Sequence, residues 1–291
     1  MTTRLLPGCF ALALVLVPCA RGDDSPKVTA ENDLLYTKVG ETELKLDLAR
    51  PAEGDGPFPA VLVIHGGGWR GGDKGSNRGA LLEFARRGYV AVSPQYRFAP
   101  KVLFPAQIHD VKAAVRWVKA HAKEYKIDAD HVGAVGFSAG GHLSLMLGLT
   151  GPDDGLEGDA PSDAPSTKIQ AVVNFFGPTD FNAADLPDPT RPIVKDFLGG
   201  APADKPDLAA KASPVTYVSK GDAPVLTFQG TKDPLVPYSQ AVALTEKMTA
   251  AGVPGRVEIL IGAGHGWGGV EMRRTLHETM EFFDQYLKTS H

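Results

Sequence analysis

The chain has 291 residues, 43% of them hydrophobic and 22% charged, enough for one large domain with a full core and ordinary for a soluble globular protein. A formal net charge of -4 supplies no basic surface for a phosphate backbone, so nucleic acid is excluded as an expected partner. Both cysteines, Cys9 and Cys19, fall close to the N-terminus, and beyond them neither a disulfide nor a thiol nucleophile is expected.

Arg4 precedes an uninterrupted apolar run from Cys9 to Val17, followed by the small residues Ala20 and Gly22. The run is shorter than the ~20 apolar residues that a bilayer span needs. The pattern predicts an export signal over residues 1–22, a mature chain that is secreted or periplasmic, and no transmembrane segment in that mature chain. A lipid anchor on Cys19 is the competing reading, disfavoured by Pro18 immediately before it.

Leu34–Val39 and Glu43–Leu48 read as two strands joined at Gly40-Glu41, an antiparallel start to a larger sheet. From Phe58 onward, short apolar runs near 60–64, 89–94, 131–136, 170–176, 224–229 and 257–261 alternate with helix-like segments. Those segments are Ser76–Arg87, Pro105–Glu124, Ala139–Leu149, Tyr238–Ala251 and Val270–Leu287. Within the second, Ile108, Val111, Val115 and Val118 share one face, and Pro105 suits a first turn. Strands alternating with helices predict an α/β fold over residues 23–291, a mainly parallel sheet covered on both faces, in a single domain without internal repeats. Gly151–Thr167, rich in Asp, Gly, Pro and Ser, reads as a solvated loop in preference to a calcium site built on Asp153, Asp154, Glu157 and Asp159. The Pro-rich stretch 177–222 is expected to form a short cover over a site.

The chemistry concentrates in Gly136-Phe137-Ser138-Ala139-Gly140, which follows an apolar run and opens a helix-like segment. Glycines on either side let the chain turn sharply from strand to helix and hold the Ser138 hydroxyl outward as a candidate nucleophile. A serine hydroxyl needs a base to take its proton and a carboxylate to orient that base. Asp233 sits just past the run Val225–Phe228, and His265 follows the run Val257–Ile261 in the loop Gly262-Ala263-Gly264-His265-Gly266-Trp267. The order Ser138, Asp233, His265 is that of an α/β-hydrolase triad. Asp222 is the alternative acid, but it precedes its strand and so falls at the opposite end from the site. The run Pro59–Ile64 ends in His65-Gly66-Gly67-Gly68-Trp69, whose amides at Gly67 and Gly68, with that of Ala139, are the expected oxyanion donors. Trp69 is a candidate for the substrate pocket, with a packing role as the alternative, and His65 is read as a brace for the loop. No metal or organic cofactor is expected, because neither His-Glu-x-x-His nor clustered cysteine ligands occur.

His65–Trp69, Gly136–His142, Gly177-Pro178-Thr179-Asp180, Lys232-Asp233-Pro234 and Gly264-His265 together resemble the secreted esterase branch of the α/β-hydrolases. The similarity covers roughly residues 30–288 and is greatest to hormone-sensitive-lipase-like esterases and to bifunctional feruloyl and acetyl xylan esterases. That resemblance implies a Ser-His-Asp esterase acting on a small-molecule or polysaccharide-borne ester, with acetyl or feruloyl groups as candidates. Phe137 departs from the lipase-like branch, which has Asp before the nucleophile, and residues 23–57 are expected to be too few for that branch's larger cap. Both departures favour the carbohydrate-esterase side. A serine peptidase or amidase of the same fold, and a noncatalytic binding protein, are the alternatives.

Overall fold

The computed structural model describes residues 26–288; the expected export signal and both cysteines lie outside them. The first strands are β1 (Val28–Val39) and β2 (Thr42–Pro51), paired antiparallel around the turn at Gly40. β1 begins earlier than the apolar pattern from Leu34 indicates, because its first half holds exposed polar residues and is paired through a bulged register. There follow β3 (Phe58–Ile64), α1 (Arg78–Arg86), β4 (Val90–Pro94), α2 (Ala106–Ala120), α3 (Ala122–Tyr125) and β5 (Ile127–Phe137). The single helix expected over 105–124 is divided at His121, whose ring bonds the Trp117 carbonyl and whose backbone ends α2. The chain continues through α4 (Ala139–Leu149), β6 (Ala171–Phe175), α5 (Arg191–Leu198), α6 (Pro206–Ala212), β7 (Val225–Gly230), α7 (Tyr238–Ala251), β8 (Gly255–Leu260) and α8 (Gly269–Leu287).

All eight strands form one sheet in the order β1-β2-β4-β3-β5-β6-β7-β8, parallel from β4 onward. Successive residues of a strand face opposite sides, and each side has its own apolar layer. Leu62, Ile64 and Val172 belong with α2, α4 and α7, whereas Val61, Val63 and Val173 belong with Leu81 and Phe84 of α1 and Met280, Phe283 and Leu287 of α8. Both faces being dry explains why the central strands read as continuous apolar runs. Among the described residues, no helix is long and apolar enough to cross a membrane.

Residues 177–222, expected as a cover, carry α5 and α6, which lie in the same layer as α2 and α4. The acidic loop at 151–167 turns inward at one carboxylate: Glu157 binds the buried Lys112, the guanidinium of Arg116 and the Thr167 hydroxyl. Burial pushes the Glu157 carboxyl up, but Lys112 and Thr167 outweigh it and hold it below its ordinary value.

Candidate active site

Parallel strands bring the loops after β3, β5, β7 and β8 to one edge of the sheet, and the polar side chains of interest sit there. Ser138 occupies the step between β5 and α4 with φ 54° and ψ -119°, a conformation that L-residues rarely adopt. The surrounding backbone enforces it. A Cβ at Gly136 would lie 2.1 Å from the Gly140 carbonyl oxygen, and one at Gly140 would lie 2.1 Å from that of Ile64. Neither glycine can be replaced without opening the turn that lifts Ser138 out of the sheet.

The histidine arrives by another close approach. Gly230 ends β7, and a Cβ there would stand 2.4 Å from the Ala263 carbonyl oxygen, so the loop carrying His265 folds directly over the loop carrying Asp233. The Lys232 amide donates to Ala263 O at 2.8 Å and the Gly262 amide donates to Thr231 Oγ1 at 2.8 Å, tying the two loops together. His265 Nε2 lies 2.8 Å from Ser138 Oγ, and Nδ1 lies 2.8 Å from Asp233 Oδ2. A neutral imidazole there donates through Nδ1–H to the carboxylate and accepts the serine proton at Nε2.

Asp233 has no exposed side-chain surface, while the His265 side chain is 19% exposed. The Leu235 and Val236 amides donate to Asp233 Oδ1 at 2.8 and 3.0 Å, and Gln229 Nε2 donates to Oδ2 at 2.9 Å. Burial pushes the carboxyl up, but His265 and the Val236 and Leu235 amides outweigh it and hold Asp233 below its ordinary value. The acid is therefore ionised and fixed in position. Asp222, the alternative acid, lies at the far end of β7 and binds the Ser219 amide and hydroxyl instead.

The glycine loop lies against the serine: a Cβ at Gly66 would be 2.8 Å from the Phe137 carbonyl oxygen and 3.4 Å from Ser138 Cβ. Gly67 and Gly68 have φ of 116° and 59°, and Gly67 is exposed. Among the described residues no acceptor takes the amides of Gly67, Gly68 or Ala139; Ala139 opens α4, where an N–H has no intrahelical partner. His65 braces the loop as expected of its position. Its Nδ1 bonds Gly66 O at 2.8 Å and its ring stacks on Tyr96 with centroids 4.5 Å apart.

Trp69 is packed within the apolar layer. It is 2% exposed, stacks on Phe197 of α5 with centroids 4.2 Å apart, and donates from Nε1 to His142 Nδ1 at 3.3 Å. Its geometry is the packing alternative, joining the glycine loop to α5. The side chain that overhangs Gly68 is Ile193, also from α5, whose Cγ2 would stand 2.9 Å from a Cβ at that glycine.

Three contributors escape sequence reading. Gln229, a polar residue inside the apolar run of β7, is fully buried and orients Asp233; its type in that run was the available signal. His142 sends Nε2–H to Ala212 O at 2.7 Å, and burial lowers its pKa to about 4. Phe176, at φ 44°, places its ring 4.8 Å from that of His265. Phe137 packs in turn on Phe175, at 4.8 Å, so an aromatic layer stands where the lipase-like branch has a carboxylate.

This sheet order, with a strained serine between strand and helix and its partners on later loops, defines an α/β hydrolase. Residues 46–248 match the BD-FAE family, and the chain belongs to it. Among curated proteins it is similar to "Esterase LipC" of Mycobacterium tuberculosis, 32% identical over 75% of this chain and 55% of that one. The chain spans about half the length of the curated relatives it matches. A truncated carbohydrate esterase from gut microbiota superposes with a TM-score of 0.78 at 26% identity, over 91% of this chain and 98% of the other. Est2, an esterase of the Planctomycetes species Thermogutta terrifontis solved with propionate bound, gives a TM-score of 0.74 at 27% identity, over 92% of this chain and 97% of its own.

Proposed function

We propose that the protein is an exported serine carboxylic ester hydrolase that removes short acyl or aryl groups, acetyl or feruloyl, from polysaccharide-borne esters. The observation that carries this reading is the continuous relay from Ser138 Oγ through His265 to a buried, ionised Asp233. Ser138 Oγ attacks the ester carbonyl as its proton passes to His265 Nε2, and the negative charge moves to the carbonyl oxygen. The Gly67, Gly68 and Ala139 amides stabilise that oxyanion. When the carbonyl re-forms, the C–O bond to the alcohol breaks and the alcohol leaves with the proton held by His265. Water then repeats the sequence on the acyl-serine: His265 takes its proton, the acid is released and Ser138 recovers its hydrogen.

The half-buried Ser138 and exposed Gly67 leave room for an ester carried on a polymer. The likeness to a carbohydrate esterase supports the same class. Export rests on the sequence of residues 1–22. A panel of p-nitrophenyl esters and peptide anilides tests the activity: ester turnover without anilide cleavage is expected, and anilide cleavage alone would make the protein a peptidase. Turnover of acetylated xylan against methyl ferulate then ranks the acyl groups.

A further inference from the structure

A cavity of about 500 Å³ opens at the same sheet edge, between the glycine loop, the start of β2 and the segment that follows β4. Its size falls within the roughly 300–1,000 Å³ of small-molecule sites. Phe98 supplies a half-buried aromatic face in its wall. Around it stand groups with unspent hydrogen-bonding capacity. Gln95 Oε1 accepts the Lys45 amide, yet its side-chain nitrogen, the Thr42 hydroxyl and the Lys101 ammonium have no partner among the described residues.

His65 also belongs to this wall, and its Nε2 is buried without a partner among the described residues. With Nδ1–H committed to Gly66 O, Nε2 is an acceptor, and a hydroxyl is the donor that completes it. The charges nearly cancel: Arg70 is paired with Asp196, Arg97 with Asp110 and Glu43 with Lys45, which leaves Lys101 and Asp73 in the lining. An aromatic face among unspent hydrogen-bonding groups and largely paired charges suits a polyol better than an anion.

We propose that this cavity is a subsite for a neutral pyranose ring on the alcohol side of the ester, a proposal that rests on the ester-hydrolase reading above. β4 stands two strands from β5 in the sheet order. Strands lie about 4.8 Å apart, so the cavity is roughly 10 Å along the edge from Ser138, a separation that a short oligosaccharide bridges.

The test compares kcat/KM on acetylated xylotriose and on p-nitrophenyl acetate, using the full chain. Thr42→Trp fills the cavity from an exposed hairpin position, and Phe98→Leu removes the aromatic face. Each is expected to lower turnover of the acetylated trisaccharide about tenfold, the equivalent of 1.4 kcal/mol, and Thr42→Trp is expected to leave p-nitrophenyl acetate within about twofold. Thr42→Trp decides, because Phe98 also packs on His65 and Tyr96. If Thr42→Trp changes both substrates equally or neither, the subsite is overturned; so it is if the parent cleaves p-nitrophenyl acetate but not the acetylated trisaccharide. A parent inactive on p-nitrophenyl acetate overturns the ester-hydrolase reading itself, and the subsite with it.

Discussion

The two halves of the site are held by different means. Ser138, Asp233 and His265 are fixed by backbone: a strained residue between two obligatory glycines, a carboxylate capped by successive amides, and a histidine loop seated on Gly230. The glycine loop with its proposed oxyanion donors is fixed instead by aromatic side chains from distant parts of the chain. His65 stacks on Tyr96, and Trp69 packs between Phe197, Phe181 and His142. Substitutions in the first half are therefore expected to remove chemistry while sparing the fold, and substitutions in the second to loosen both.

The largest expected effect is that of Ser138→Ala, which removes the nucleophile and should lower kcat on p-nitrophenyl acetate by about 10⁶-fold with the melting transition preserved. Unchanged turnover would remove Ser138 from the mechanism. Asp233→Asn keeps the shape but allows the wrong imidazole tautomer, and a fall of about 10⁴-fold in kcat is expected. In the other half, Trp69→Ala should cost about 3–5 kcal/mol in denaturant unfolding and lower kcat as well. A loss of stability with full kcat would show that the amides keep their positions without the aromatic clamp.

The smallest effect is one of pH. His142 is buried as the neutral form with its pKa lowered to about 4, from an ordinary value of 6.5. The unfolded chain therefore binds the extra proton first, so stability falls as pH drops from 6.5 towards 4, by about 3 kcal/mol across the window. His142→Gln should lower stability at neutral pH and flatten that slope. Asp233 acts in a lower range: its depressed pKa gives stability that is full above the ordinary carboxylate value and lost as pH falls through its lower folded value.

The comparison also explains what the sequence disclosed. Local motifs record backbone demands, so Gly136, Gly140 and the glycines flanking His265 marked the positions of Ser138 and His265, the proposed nucleophile and base. The doubly covered sheet was legible because its strands are apolar on both faces. Packing partners leave no such local mark. α5 and α6 were hidden in Pro-rich sequence, where Pro192 and Pro206 stand in first turns rather than breaking helices. Trp69 was ambiguous because its contacts, Phe197 and His142, come from segments far along the chain. Gln229 and Phe176 act only through residues brought together by β6, β7 and the loop after β8.

The most direct measurement is covalent. An activated serine attacks a phosphate triester such as paraoxon as it would an ester carbonyl. Intact-mass and peptide analysis after paraoxon treatment should find one diethylphosphoryl group per chain, on Ser138, with labelling abolished in Ser138→Ala and strongly slowed in His265→Ala. Labelling elsewhere, or a Ser138 that reacts equally fast without His265, would contradict the relay on which the proposed activity stands.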